Sequence, residues 1–226
     1  MHAIDLSILS HLPWMAGQSW KLDYAIYCLS NNDLLKGGLF MVMVWAFWFR
    51  PEPKRDRATI LAMLAGAMMA LLIGKALERL APYSQRPYQS GIPGLVFPFD
   101  MGMHHHESSF PSDHATLFFA FCAGLFFLSR PAGWAASVYT TIVIALPRLY
   151  LGLHYPSDLI GGAVLGIFCV LVFRPLRNFI AHVPLRVCEE SPQSFYPVFF
   201  LFTFLIATLF DNFRSLCDLG HTLIRL

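Results

Sequence analysis

The sequence predicts an all-α, polytopic membrane helical bundle, and three observations support this fold class. Of the 226 residues, 56% are hydrophobic and only 13% are charged, whereas soluble domains carry about 25% charged residues. The apolar residues cluster into long runs, which alternating core strands would not produce. The net charge of +2 is too small to indicate a nucleic-acid partner. We therefore expect a single membrane domain over residues 1–226.

Six apolar runs predict about six transmembrane helices. The runs cover residues 35–49, 58–78, 113–129, 132–147, 156–173 and 195–210. The fifth run contains Gly162 and Gly166, a spacing of small residues that lets helices approach closely in lipid. Residues 1–33 mix aromatic and polar side chains, and we expect this N-terminal segment to lie at the membrane interface.

The positions of lysine and arginine predict how these helices are oriented. With six spans, eight basic residues fall on one side, which the positive-inside rule makes cytoplasmic. They are Arg50, Lys54, Arg55, Arg57, Arg130, Arg174, Arg177 and Arg186. The loop 80–111, the turn 148–155 and both termini then lie on the other side. We expect a bacterial inner (plasma) membrane, with these segments facing the periplasm or the exterior.

Three polar clusters fall on that second side. They are Arg79 to Pro87, Phe110 to His114, and Arg148 to Asp158. Ionisable groups at membrane depth are costly, so such groups are functional candidates. The predicted topology brings all three clusters to one face of the bundle, which indicates a common site.

The side chains of these clusters suit phosphoryl transfer. Arginine presents a planar fork of donors to phosphate oxygens, so Arg79, Arg86 and Arg148 could neutralise a phosphate without a metal cation. Ser112 adds a hydroxyl donor. Because its loop leads directly into the third helix, the free N–H groups of that helix end also favour an anion.

Two histidines and one carboxylate complete the chemistry. His154 and Asp158 are four residues apart, about one helical turn. The carboxylate can keep one imidazole nitrogen protonated and leave the other free to attack phosphorus, while His114 protonates the leaving oxygen. Taken singly, the arginines also fit interfacial anchors, His154 a structural histidine and Asp158 a helix start; their joint spacing favours the catalytic interpretation.

The three clusters together resemble the motifs of the type 2 phosphatidic acid phosphatases, relatives of bacterial acid phosphatases and vanadium haloperoxidases. That family has the patterns K-x6-R-P, P-S-G-H and S-R-x5-H-x3-D. The corresponding residues here are Arg79, Arg86 and Pro87, then Pro111 to His114, then Pro147, Arg148, His154 and Asp158. The motifs span residues 79–158, and the six-helix pattern extends the resemblance over most of the remaining chain.

The resemblance implies a role for each matching residue. His154 corresponds to the nucleophile that forms a phosphohistidine, and Asp158 to its orienting partner. His114 corresponds to the acid for the leaving group and later the base for water. The implied phosphate ligands are Arg79, Arg86, Ser112, Arg148 and the backbone N–H of Asp113. The resemblance implies no metal and no cofactor.

Three positions depart from the family pattern. Arg79 replaces a lysine and keeps the charge, and Pro147 replaces a serine and removes its hydroxyl. Asp113 replaces a glycine, and its carboxylate repels phosphate unless it points away or pairs with a base. The P-S-D-H form resembles the bacterial undecaprenyl diphosphate phosphatase branch, which implies hydrolysis of a polyprenyl diphosphate.

Several alternatives remain at this stage. Phosphatidylglycerophosphate, phosphatidate or lipid A phosphates are other candidate substrates, and a non-catalytic lipid transporter or scaffold of the same fold is a different class. The triplet His104 to His106 with Glu107 could hold a metal, but adjacent histidines do not share a helix face and no HExxH spacing occurs. We expect this segment to be a solvated loop or lid near the headgroup. We expect a lipid phosphate and membrane lipids as partners; the oligomeric state is left open.

Overall fold

The computed structural model describes residues 3–10, 16–51, 53–93, 95, 97–98 and 108–210, and most of each apolar run is helical. No strand occurs in these ranges. The α-helices are α1 (Ala3–Ser10), α2 (Trp20–Asn31), α3 (Leu34–Trp48), α4 (Pro53–Leu80), α5 (Asp113–Leu128), α6 (Arg130–Tyr139), α7 (Leu146–Tyr150), α8 (Pro156–Phe173), α9 (Arg177–Glu190) and α10 (Pro192–Ala207). Helix α3 begins with a π-helical turn, Leu34–Gly38, and a second π-helical segment, Thr140–Ala145, joins α6 to α7.

Two of the described helical segments are long and apolar enough to cross a membrane. They are Lys54–Leu80, and Pro156–Glu190, in which α9 continues α8. Helices α3, α5 and α10 are apolar and shorter. The predicted bundle is thus present, although its apolar helices differ considerably in length.

Helices α4, α5 and α8 pack together at the centre of the bundle. Glycines make the closest approach between α5 and α8. A Cβ atom at Gly166 would lie 2.1 Å from the carbonyl oxygen of Thr116, and one at Gly162 would lie 2.6 Å from that of Ser112. Only glycine fits at these two positions, so the predicted close packing of this small-residue face is confirmed.

Helices α3 and α5 run in the same direction. The rings of Phe40 and Phe118 pack with their centroids 5.2 Å apart. Just beyond the end of α3, Arg50 donates a hydrogen bond of 3.5 Å to the carbonyl of Leu128 at the end of α5. The first turns of both helices therefore lie at the same end of the bundle, opposite to Arg50.

The two N-terminal helices attach near the turn between α7 and α8. Asp5 of α1 is buried and accepts hydrogen bonds from the N–H and hydroxyl of Ser157, at 2.9 and 2.8 Å. Asp23 of α2 accepts a hydrogen bond from Tyr150. Burial and this bond raise the pKa of Tyr150, so the hydroxyl stays protonated and keeps donating. The interfacial location of residues 1–33 remains a prediction.

Candidate active site

The turn between α7 and α8 holds three buried ionisable side chains. Arg148, His154 and Asp158 are 7%, 4% and 2% exposed. Gly152 allows the chain to turn there because its φ of +68° is a conformation that other residues rarely adopt. Pro156 then begins α8, at the helical position that proline favours. Local turn chemistry thus places the third sequence cluster inside the bundle.

The proton position on His154 follows from its hydrogen-bond partner. Its Nδ1 lies 2.9 Å from the backbone carbonyl oxygen of Ser109. A carbonyl only accepts hydrogen bonds, so Nδ1 must carry the proton. In the neutral ring, Nε2 is then the unprotonated nitrogen, which is the state that a histidine nucleophile requires.

Asp158 does not form the direct hydrogen bond to His154 that its spacing suggested. Its Oδ2 lies 3.9 Å from Nδ1, which is too long for a hydrogen bond. The same oxygen accepts from the Ser109 hydroxyl at 2.5 Å and from the N–H of Tyr155 at 2.8 Å. Because Asp158 lies in the first turn of α8, its carboxylate folds back onto that helix end. It therefore holds Ser109, whose carbonyl orients His154.

Ser109 is a site residue that the sequence did not reveal. Its side chain is fully buried although it lies in a polar, proline-rich stretch. It precedes the second motif by two positions and matches no pattern of its own. Only the approach of this stretch to α8 gives it a function.

The N-termini of α5 and α8 meet beside His154. Ser112 caps α5, and its hydroxyl oxygen lies 3.5 Å from the N–H of Ala115. The backbone N–H of Ser112 donates to the carbonyl of Asp158 at 3.2 Å. Helix N-termini carry partial positive charge and free N–H groups, so this junction favours a bound anion.

His114 extends from the first turn of α5 toward the same region. Its ring packs against Phe118, with centroids 6.3 Å apart. It lies within electrostatic range of Arg148, Lys36, His154 and Arg86. Its Nε2 is buried and has no hydrogen-bond partner in the described part of the chain. Buried polar atoms are normally satisfied, so this nitrogen is suited to a substrate atom.

Two of the three predicted arginines reach the histidines. Arg86 is buried, and its Nη1 donates to the carbonyl of Leu153 at 3.3 Å. Arg148 donates through Nη2 to the carbonyl of Ser30 at 3.3 Å. These bonds fix both guanidinium groups, and both groups lie within electrostatic range of His114. Arg79 is placed differently, with an exposed side chain in the last turn of α4.

The carboxylate of Asp113 is paired with a base. Its Oδ2 lies 3.0 Å from Nζ of Lys75, and Lys75 also binds Glu78 at 2.8 Å. Of the two arrangements that the sequence allowed for this acid, pointing away or pairing, the structure shows pairing. Lys75 lies one turn before Arg79 and belongs to no motif.

No cluster of three potential metal ligands occurs among the residues that the structure describes. The triplet His104 to His106 lies outside those residues. The described site offers arginine donors, helix ends and two histidines, which together can bind an anion and transfer a phosphoryl group.

Comparison with known proteins adds to this geometry. The PAP2 superfamily model matches residues 78–180, which include all three clusters. The putative undecaprenyl-diphosphatase YbjG of Escherichia coli (strain K12) is 28% identical over 184 residues, covering 80% of this chain and 84% of that protein. The bacitracin transport permease protein BcrC of Bacillus licheniformis is 31% identical over 179 residues, covering 78% and 83%.

A solved structure shares the fold. The first transmembrane PAP2 type phosphatidylglycerolphosphate phosphatase from Bacillus subtilis aligns with a TM-score of 0.52 and 21% identity, over 79% of this chain and 89% of that one. At this identity the similarity concerns the fold alone. It confirms the predicted all-α transmembrane bundle.

Proposed function

This chain belongs to the PAP2 superfamily, and we propose that it is an integral membrane lipid phosphatase that hydrolyses a polyprenyl diphosphate, such as undecaprenyl diphosphate, to the monophosphate. The hydrogen bond from His154 Nδ1 to the Ser109 carbonyl carries the proposal, because it fixes the tautomer in which Nε2 is unprotonated and can act as the nucleophile. The name of the Escherichia coli relative supports the choice of a diphosphate.

In the first step, Nε2 of His154 attacks the terminal phosphorus. The N–P bond forms as the bond from phosphorus to the bridging oxygen breaks. His114 gives its proton to that oxygen, and the lipid monophosphate leaves. Arg86, Arg148 and Ser112 hold the phosphoryl oxygens, where preorganised donors stabilise the transition state most.

In the second step, water hydrolyses the phosphohistidine. His114, now unprotonated, takes a proton from the water as its oxygen attacks phosphorus. The N–P bond breaks, inorganic phosphate leaves and His154 recovers its lone pair. Both histidines thus return to their starting states without a further reactant.

The remaining predicted ligands have supporting roles in this proposal. The backbone N–H of Asp113 adds a donor at the start of α5. Arg79, exposed at the end of α4, attracts the anionic headgroup. Cationic side chains supply the charge that a metal ion supplies in other phosphatases, so we propose a metal-independent reaction.

We further propose that the site faces the periplasm or exterior of a bacterial inner membrane. The support is the charge distribution: Arg50 and Arg57 lie at the opposite end of the bundle, where they contact the rings of Phe47 and Trp48. By the positive-inside rule that end is cytoplasmic.

A panel of lipid phosphates tests the proposed substrate. Phosphate release by purified protein in detergent is measured with undecaprenyl diphosphate, phosphatidate, phosphatidylglycerophosphate and lipid A. We expect the highest kcat/KM with the diphosphate. A preference for a phosphomonoester rejects that substrate and leaves the histidine mechanism standing. If no phosphate is released from any lipid, a transporter or scaffold is favoured. The name of one relative, a transport permease protein, is consistent with that alternative.

A further inference from the structure

A buried lysine from the first apolar helix lies outside the three motifs. Lys36 is 6% exposed and belongs to the π-helical turn that begins α3. Its Nζ lies 3.1 Å from Oδ1 of Asp33, whose side chain is 43% exposed. A buried ammonium group is costly unless it is paired or binds an anion. The Asp33 carboxylate lies toward the protein surface, whereas the Lys36 ammonium group lies in the protein interior.

The packing of α3 on α5 places Lys36 opposite His114. The two helices run in the same direction, and Phe40 packs against Phe118. Lys36 precedes Phe40 by four residues, and His114 precedes Phe118 by four. Side chains four residues apart share a helix face. Lys36 and His114 therefore lie on the same facing surfaces of α3 and α5 as Phe40 and Phe118, one helical turn closer to the candidate site.

Two further observations support this position. Lys36 lies within electrostatic range of His114, as Arg148 does. The chain just before α3 also reaches the site, because the carbonyl of Ser30 accepts the hydrogen bond from Arg148. The packing of α3 on α5 and the hydrogen bond from Arg148 to Ser30 thus bring the α2–α3 connection close to His114.

Neighbouring helices hold the turn that carries Lys36. The hydroxyl of Tyr139 donates to the carbonyl of Leu35 at 2.5 Å. A Cβ atom at Gly37 would lie 2.1 Å from the carbonyl oxygen of Ala207, so only glycine allows α10 to approach here. Single π-helical turns occur often at functional sites, and this one is fixed on both sides of the lysine.

We propose that Lys36 is a further phosphate ligand, which binds the lipid-linked phosphate of a diphosphate substrate. This inference rests on the proposed function. In the proposed mechanism, Arg86, Arg148 and Ser112 hold the terminal phosphate that His154 attacks. Lys36 lies instead beside His114, on the side where the lipid phosphate leaves.

The charge of Lys36 fits the chemistry of that leaving group. When the bridging bond breaks, negative charge develops on the lipid phosphate. His114 protonates the bridging oxygen, and the Lys36 ammonium neutralises the remaining charge as a compact cation. A phosphomonoester lipid has no second phosphate to bind there. Lys36 therefore contributes a preference for diphosphates.

The substitution Lys36→Met tests this role, because it removes the charge and keeps a long side chain. We expect kcat/KM for undecaprenyl diphosphate to fall about ten- to a hundredfold, the effect of losing one hydrogen bond to a charged group, and kcat/KM for phosphatidate to fall less than about threefold. Lys36→Arg should retain the preference for the diphosphate. Lys54→Met is the matched control, since Lys54 is exposed and pairs with Glu189 at 3.7 Å.

Inhibitor selectivity gives a readout that is independent of turnover of the diphosphate. With phosphatidate as substrate, methylenediphosphonate should inhibit the wild-type protein more strongly than inorganic phosphate does. Lys36→Met should lose this difference, and Lys54→Met should keep it. If Lys36→Met does not fold, Lys36→Gln replaces it in both assays, with circular dichroism and gel filtration as the folding check.

The outcomes separate this inference from the proposed function. Equal losses on both lipids, or an unchanged inhibitor preference, would show that Lys36 has only a structural role and would overturn the inference. A wild-type protein that releases no phosphate from undecaprenyl diphosphate overturns the proposed substrate and the inference together. Loss of activity on the diphosphate alone supports both.

Discussion

Asp113 and Lys75 form an ion pair, with 3.0 Å between Oδ2 and Nζ, at the point where α4 meets the first turn of α5. The side chains are 22% and 26% exposed, so the pair contributes modestly to stability. Its consequence is electrostatic. The acid that replaces the family's glycine is neutralised by a base from α4, and the positive helix end remains able to bind phosphate.

Removing Lys75 should weaken substrate binding. In Lys75→Met, the carboxylate of Asp113 is left without this partner next to the phosphate, and we expect KM for the lipid phosphate to rise about three- to tenfold, equivalent to about 1 kcal/mol of repulsion. The double variant Lys75→Met with Asp113→Gly should recover most of the loss. Steady-state kinetics on the four proteins measure the coupling; additive effects would contradict it.

The two histidines should fail at different steps. His154→Ala removes the proposed nucleophile and should abolish both turnover and the acid-labile phosphoenzyme. His114→Ala keeps the nucleophile and should lower kcat about a hundredfold or more, while phosphoenzyme still forms. Rapid quenching after addition of terminally labelled diphosphate distinguishes these cases. Labelled phosphoenzyme in His154→Ala would assign the nucleophile to another residue.

Ser109→Ala tests the link from Asp158 to His154. The substitution removes the hydroxyl that binds Asp158 and retains the carbonyl that binds His154. We expect kcat to fall about tenfold or more, and unfolding to become easier by about 1–3 kcal/mol because a buried carboxylate loses a donor.

Ser108→Ala provides the matched control for that experiment. The Ser108 hydroxyl is also buried, but it accepts a hydrogen bond from the N–H of Ser84. Thermal unfolding of Ser108→Ala should shift similarly while kcat stays near that of the wild type. Equal kcat losses in both variants would mean that Ser109 affects only the stability of the loop.

Activity should survive chelation. In the proposed mechanism Arg86 and Arg148 neutralise the phosphate, so phosphate release after dialysis against EDTA should match that of untreated protein. Loss of activity with EDTA and its recovery with zinc or magnesium would refute metal independence. That result would direct attention to His104 to His106.

Orientation in the membrane can be measured by thiol labelling in intact cells. In a variant without native cysteines, Tyr83→Cys at the site end should react with an impermeant maleimide. Lys54→Cys, at the opposite end, should react only after lysis. Both native side chains are well exposed, at 60% and 86%, whereas Ser108 in the same loop as Tyr83 is too buried for this purpose. The reverse labelling pattern would contradict the proposed topology.

The helical membrane fold and most residues of the candidate site could be predicted from the sequence. Apolar run length predicts helices in lipid directly, and the spacing of Arg148, His154 and Asp158 is local, so a single turn and helix start bring these residues together. The glycine pair Gly162 and Gly166 predicted close packing, because residues without a side chain let a partner helix approach the backbone closely.

Tertiary structure alone decided which distant residues meet these groups. The partner of His154 is the Ser109 carbonyl, the base beside Asp113 is Lys75, and the lysine opposite His114 comes from residue 36. Every residue has a backbone carbonyl, so the sequence does not show which carbonyl binds His154. A single lysine in an apolar helix forms no spacing pattern from which its role could be predicted. Their roles depend on which helix faces pack together, and that is set by side-chain shape over the whole bundle.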